Sequence, residues 1–323
     1  MTNHDPLLPY KVGGLLYTPA LDPHIGEKLR NGSIKGLSSL ALCLEDSIED
    51  GALDRAEQEL CRTLAQFEGI DELPLLFVRV RTPQHLCTVH RMLGGLSDLL
   101  CGYVLPKFDL SNANRYMELF DRFHDARRSA LYYMPILESG MVASILHRRE
   151  NLVHIKELLD VDREHILNIR VGGNDFCNLF GIRRHEDQSI YDIGVVRDIL
   201  SDIVNVFGAD YVVSGPVWEY FGDDPNAGWA EGLRKEISLD RINGFIGKTA
   251  IHPSQLPIIR ECMRPQRSDY EDAVRILNWT SDGRAVQKSA GGARMNEQKC
   301  HTRWAQKTAA LAEIYGIAEE KTD

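Results

Sequence analysis

Leu131-Tyr132-Tyr133-Met134-Pro135-Ile136-Leu137 is an unbroken apolar run, and Glu138-Ser139-Gly140 follows it directly. The run lacks the polar–apolar alternation of a half-exposed strand, so it suits a strand buried on both faces, as strands of parallel sheets are. A carboxylate has no place inside such a strand. Glu138 is therefore expected at the strand's C-terminal mouth.

The same unit recurs in both directions. Before it stand Leu15-Leu16-Tyr17-Thr18, Leu40-Ala41-Leu42-Cys43-Leu44, Leu75-Leu76-Phe77-Val78 and Tyr103-Val104-Leu105; after it come Ile166-Leu167-Asn168-Ile169-Arg170-Val171, Tyr211-Val212-Val213 and Gly247-Lys248-Thr249-Ala250-Ile251. Polar helical stretches space most of these runs by roughly 25 to 45 residues, room for one strand, one helix and two loops. Eight such steps close a (β/α)8 TIM barrel of the α/β class. Within the seventh interval, residues 219–241 are rich in Gly, Asp, Asn and Trp and read as a long loop with a short helix. From residue 265 the pattern turns helical, with helices expected near 270–280 and 302–315 around a polar, glycine-bearing segment, 281–300. The expected organisation is a TIM-barrel catalytic domain over residues 1–264 and a C-terminal helical arm or lid over residues 265–323. Such an arm either closes a site, reaches a neighbouring subunit or packs on its own barrel.

Composition narrows the function. The 323 residues are 43% hydrophobic and 26% charged, the proportions of a soluble globular protein. A formal net charge of -10 argues against a nucleic-acid partner, which needs clustered Lys and Arg. No apolar stretch approaches the roughly 20 residues of a membrane helix, and the polar start, residues 1–6, lacks the blocks of a signal peptide. The seven cysteines are scattered without a Cys-x-x-Cys pair, as free thiols in a reducing compartment would be. A cytoplasmic protein is expected.

Charged residues fall at the ends of the runs. The second finishes in Glu45-Asp46, the third in Arg79 and Arg81, the fourth in Lys107, the fifth in Glu138 and the sixth in Asn174-Asp175. Active sites of TIM barrels are assembled on that rim. Adjacent strands lie roughly 4.8 Å apart, so Glu138 and Asp175 can reach one ion, and a cation would relieve their mutual repulsion. Mg²⁺ suits such a pair because it commonly takes one or two carboxylates and leaves its other positions to water and substrate. Position alone leaves the two open to a second reading as helix caps or structural ion pairs. Arg79 is expected to be oriented by Glu45 and to hold a substrate oxygen by its planar fork. Gly172-Gly173 either points amides, with Asn174, at a bound carboxylate or simply makes a tight turn.

Other motifs carry less. Gly247-Lys248-Thr249 ends like a phosphate-binding loop, but the glycine required five residues earlier is Ile242. His252, before Pro253, reads as a structural rim residue. A Schiff-base aldolase would need a buried strand lysine, for which Lys107 and Lys248 are the candidates.

Seven segments in order resemble the citrate lyase beta-subunit and malyl-CoA lyase group of the HpcH/HpaI aldolase superfamily. They are Leu-Tyr-Thr-Pro-Ala (16–20), Leu-Glu-Asp-Ser-Ile (44–48), Val-Arg-Val (78–80), Leu-Pro-Lys (105–107), Leu-Glu-Ser-Gly (137–140), Val-Gly-Gly-Asn-Asp-Phe (171–176) and Gly-Phe-Ile-Gly-Lys-Thr-Ala-Ile-His-Pro-Ser-Gln (244–255). The resemblance spans roughly residues 15–272. It implies Mg²⁺ bound by Glu138 and Asp175, substrate contact by Arg79, support from Glu45, and a trimer or larger homo-oligomer. It further implies an acid on the C-terminal arm that closes the site, matched here to Glu297. Three departures stand out: Cys43 replaces the acid opening the second-strand motif, Arg81 replaces an asparagine, and an arginine before the first strand is missing. All lie near where a thioester would sit.

The sequence therefore predicts a Mg²⁺-dependent carbon–carbon lyase cleaving a small keto or hydroxy acid, or its acyl-CoA thioester, by a retro-aldol or retro-Claisen step. The metal, Arg79, Glu45, Asp46 and Lys107 organise the rim. Alternatives on the same metal site are a thioester hydrolase or a malate-synthase-like condensing enzyme. From another class, a metabolite-binding barrel without turnover is the rival.

Overall fold

The computed structural model describes residues 5–70, 72–124, 130–280 and 283–319. The first residues of the polar start, 1–4, and Ser281 of the expected arm segment lie outside that set. Contacts divide the chain into two compact units, residues 1–258 and 259–323.

The first unit is the expected barrel. Its strands are β1 (Gly14–Pro19), β2 (Ser39–Cys43), β3 (Leu75–Arg79), β4 (Gly102–Leu105), β5 (Tyr132–Leu137), β6 (Ile169–Val171), β7 (Val213–Ser214) and β8 (Lys248–Ala250). Successive strands pair in parallel from β1 to β7, β8 pairs with β1, and a parallel bridge between Gly215 and Lys248 closes the ring. Every residue of β2, β4 and β5 is buried, the outcome expected of runs without alternation.

Parity along these strands sets what faces the barrel axis. Leu15, Ala41, Phe77, Val104, Tyr132, Met134 and Ile136 form one interior cluster. Two residues further along the same faces come Tyr17, Cys43, Arg79 and Glu138, because strand side chains repeat every second residue. The packed interior thus passes directly into a charged mouth.

Helices between the strands follow ordinary rules. Leu53–Ala65 buries Ala56, Leu60, Thr63 and Leu64 at the spacing of one helical face. Pro83–Leu93 begins with proline after Thr82, whose hydroxyl accepts the His85 amide at 3.1 Å. One expectation is corrected: most of 219–241 is the 15-residue helix Gly228–Ile242, not a loop with a short helix. Gly232 lies inside this helix because a Cβ there would stand 2.3 Å from the Glu186 carbonyl oxygen and 2.5 Å from Trp218. Close tertiary packing outweighs glycine's poor helix propensity here.

In the second unit, Arg267–Leu277 and Gln298–Tyr315 pack through Ala273, Ile276 and Ala305 with Trp279 and Trp304 at the margin. The segment between them is not purely helical: β9 (Val286–Lys288) and β10 (Met295–Glu297) form an antiparallel hairpin. Arg294 ties that hairpin to the first helix through Asp272 at 2.8 Å and Asp269 at 2.7 Å. No helix among the described residues is long and apolar enough to cross a membrane. All seven cysteines are free thiols.

Candidate active site

A cavity of about 390 Å³ opens at the C-terminal mouth of the barrel, within the volume range of small-molecule sites. Asp46, Arg79, Glu138, Gly172, Gly173, Asn174 and Asp175 line it, so the structure brings these predicted residues together. Glu45 and Lys107 stand behind them. Glu297 lies in the other unit, at the end of β10 and ahead of the helix Gln298–Tyr315, where its amide donates to His301 Nδ1 at 2.9 Å.

Arg79 is the hub. Its Nη2 lies 2.8 Å from Glu45 Oε2, 3.0 Å from Asp46 Oδ2 and 3.7 Å from Glu138 Oε1. Burial alone would lower the Arg79 pKa, but Tyr17, Glu45 and Glu138 hold it above its ordinary value. The guanidinium sits 5.3 Å over the Tyr17 ring. Its Nε is buried with no hydrogen-bond partner among the described residues.

Lys107 joins the same network, with Nζ 2.6 Å from Glu45 Oε1 and 3.3 Å from Asp46 Oδ1. Its amide donates to Glu138 Oε1 at 2.8 Å. That geometry holds Lys107 at φ 49°, the only non-glycine positive φ among the described residues. The two cations raise no conflict with Asp46. Burial would raise its pKa, but Glu45, Arg79 and Lys107 together hold it below the usual carboxylate range.

Glu138 and Asp175 behave differently. Burial pushes the Glu138 carboxyl up to about 8, with Asp175 adding to the rise and Arg79 opposing it. Burial and then Asp46 likewise raise Asp175. A carboxyl pair raised in this way is short of positive charge, and a shared cation is one relief. Asn174 Oδ1 beside them is buried without a hydrogen-bond partner among the described residues. Two carboxylates and an amide oxygen are a hard donor set that fits Mg²⁺.

The turn after β6 explains how the pair meets. Leu137 pairs with Val171, which places Gly172 beside Glu138, and the Gly172 amide donates to the Leu137 carbonyl at 3.2 Å. The helix Gly173–Leu179 starts at once, so Asp175 occupies a first helical turn instead of a strand end. Its carboxylate gains there from the helix's positive end.

A family model for carbon–carbon bond lyases of the TIM-barrel fold matches residues 6–317. The chain belongs to this family. No curated protein matches the sequence. Among solved structures, the Mycobacterium tuberculosis protein CitE with magnesium, acetoacetate and coenzyme A is 19% identical at a TM-score of 0.63, over 94% of this chain and 99% of that one. A Burkholderia xenovorans LB400 citrate lyase is 15% identical at a TM-score of 0.72, over 96% and 94%. The M. tuberculosis citrate lyase beta subunit with oxaloacetate and magnesium is 21% identical at 0.54, over 79% and 99%. At these identities the likeness establishes the shared barrel.

Sequence reading missed several residues of this lyase barrel. Tyr17 and Thr249 also line the cavity, beside Cys43, which the sequence places near where a thioester would sit. Arg170 pairs in register with Ile136 and is buried in the interior, donating to Thr249 Oγ1 at 2.6 Å with no carboxylate within salt-bridge distance among the described residues. Strand parity was the signal that could have found Tyr17, Thr249 and Arg170. Arg81, the departure from the resembling group, does not line the cavity. It grips the loop after β2 through the Leu44 carbonyl at 2.7 Å, the Ile48 carbonyl at 2.6 Å and Asp50, and so fixes the segment that carries Glu45 and Asp46.

Proposed function

We propose that this lyase cleaves a carbon–carbon bond in a small keto or hydroxy acid, free or as its acyl-CoA thioester, with Mg²⁺ held by Glu138 and Asp175. The observation that carries the reading is the one cavity that Glu138, Asp175 and Arg79 line together, with burial raising both carboxyls. The ion, when bound, supplies Lewis-acid polarisation of a substrate oxygen.

The protein's own residues do the rest. Arg79 offers its guanidinium charge to a substrate carboxylate or carbonyl oxygen while Glu45 and Asp46 fix its Nη2. Lys107 neutralises Glu45 and Asp46 and, through its amide, aims Glu138. The Gly172 amide is taken by the Leu137 carbonyl, so the amide of Gly173 and the side chain of Asn174 complete the acid-binding wall. Residues 1–264 serve as the catalytic domain and residues 265–323 as an arm, with Glu297 its acid for closing the site. We place the protein in the cytoplasm as a homotrimer or larger assembly.

The test is product analysis. Purified protein is incubated with a panel of 2- and 3-hydroxy acids, keto acids and their CoA thioesters, with Mg²⁺ or with EDTA. Cleavage to two carbon fragments, abolished by EDTA, supports the reading. Free CoA with an intact acyl skeleton would mean hydrolysis, and ligand binding without turnover across the panel would mean a non-catalytic barrel.

A further inference from the structure

A second group of ligand atoms lies at the opposite end of the barrel. His124 ends the helix Ala113–His124, and Asp162 and His165 lie between the helix Arg148–Val161 and β6. Leu131, just before β5, provides the carbonyl that meets His124 Nε2 at 3.0 Å. The group therefore sits at the N-terminal ends of β5 and β6, away from the mouth where Glu138 follows β5.

The hydrogen bonds fix one tautomer. A carbonyl only accepts, so His124 Nε2 carries the proton, and in the neutral ring Nδ1 is then a bare lone pair. Nδ1 faces Asp162 Oδ2 at 3.8 Å, which is also an acceptor. Asp162 Oδ2 is buried and has no hydrogen-bond partner among the described residues. The other carboxylate oxygen takes His165 Nδ1 at 2.5 Å. The two imidazole rings lie with centroids 3.6 Å apart. One ligand atom from each of the three residues lies within 4.8 Å of the others. The His124 Nδ1 lone pair and Asp162 Oδ2 thus face one another across a gap, and a metal ion there would take the place of the proton that His165 Nδ1 shares with Asp162, whose hydrogen bond raises the His165 pKa.

We propose that His124, Asp162 and His165 bind a divalent transition-metal ion of the zinc, cobalt or nickel type. Two imidazoles and one carboxylate are the donors such ions prefer, whereas magnesium favours oxygen alone. One dication shared by neutral rings also avoids setting two stacked imidazolium cations against a single carboxylate. Side-chain exposures of 14 to 21% leave room for water to complete the coordination and for the ion to load. Such an ion fastens the end of one barrel helix to the connection leading into β6, so its role is to stabilise the base of the barrel. The proposal is independent of the reaction at the mouth.

The experiment uses metal-stripped full-length protein carrying Glu138→Gln, titrated with ZnCl2 and with CoCl2 by calorimetry and visible spectroscopy. The expected result is one ion per chain, a Co²⁺ spectrum with nitrogen ligation, a rise in melting temperature with Zn²⁺, and loss of binding in His124→Ala and His165→Ala. Absence of Zn²⁺ and Co²⁺ binding, or binding unchanged in both histidine variants, would overturn the proposal. Should a variant fail to fold, ring-nitrogen NMR of the parent protein decides: Zn²⁺ is expected to move two of the eleven histidine rings, and no movement overturns the site.

Discussion

Gly172 stands so close to Glu138 that a Cβ added to it would lie 2.1 Å from Glu138 Oε2 and 2.4 Å from Glu138 Cβ. Backbone conformation does not demand glycine here, since φ is -94°. The contact itself does. Gly172→Ala must displace the carboxylate, and the expected outcome is a folded protein whose Mg²⁺ affinity falls by about 10- to 100-fold, the usual consequence of disturbing a ligand's support. Calorimetric titration beside a thermal melt checks it; unchanged affinity would separate Glu138 from the ion.

Arg79 is held by three acids through one nitrogen. Arg79→Lys keeps the charge and loses the planar fork, so turnover of whichever acid the panel identifies should fall by about 100-fold or more. Arg79→Met leaves buried Glu138 without its nearby cation and Glu45 with Lys107 alone, and should in addition cost about 3–5 kcal/mol of stability by denaturant titration.

Protonation of Glu138 sets a pH dependence with a defined sign. Its folded pKa is about 8 against an ordinary 4.5, so between those values the folded state binds more protons than the unfolded one. Stability of the metal-free protein contributed by this group is therefore present below the unfolded pKa and is lost as pH rises toward about 8. Mg²⁺ competes with that proton. Its affinity should climb with pH up to about 8, with proton release visible as a buffer-dependent binding enthalpy.

Arg170 is a buried cation whose hydrogen-bond partners are Thr249, Asn168 and Tyr17. Removing an unpaired buried charge commonly stabilises a fold. Arg170→Met should raise the melting temperature while weakening the binding of dicarboxylates, since Thr249 lines the cavity. Equal affinity for mono- and dicarboxylates in parent and variant would show that Arg170 is not felt in the site.

Lys107 separates strain from charge. Lys107→Ala and Lys107→Gly lose the same ion pairs, but glycine relieves the φ of 49°. The glycine variant should be the more stable by about 0.5–1 kcal/mol in urea unfolding.

The barrel was legible because eight apolar runs recur at strand–helix spacing, the second to sixth of them ending in a charged residue, and a closed parallel sheet is what buries runs such as 131–137 on both faces. The rim residues followed from the same rule. What the sequence hid depends on distance. Tyr17 and Arg170 face the interior only once register is fixed, because a one-residue shift sends every side chain to the other face. The hairpin of β9 and β10 is short and largely exposed, so no alternating apolar pattern marks it. The helix Gly228–Ile242 carries glycines that read as breakers until Trp218 and Glu186 are seen packed against Gly232. Histidines at 124 and 165 are far apart in the sequence, and only the fold places Asp162 beside both.

The central claim is that Glu138 and Asp175 form one Mg²⁺ site, and calorimetric titration of MgCl2 into metal-stripped protein at pH 8 tests it most directly. One ion per chain, lost in both Glu138→Ala and Asp175→Ala while circular dichroism stays native, is the result expected. Full Mg²⁺ affinity retained by either variant would contradict it.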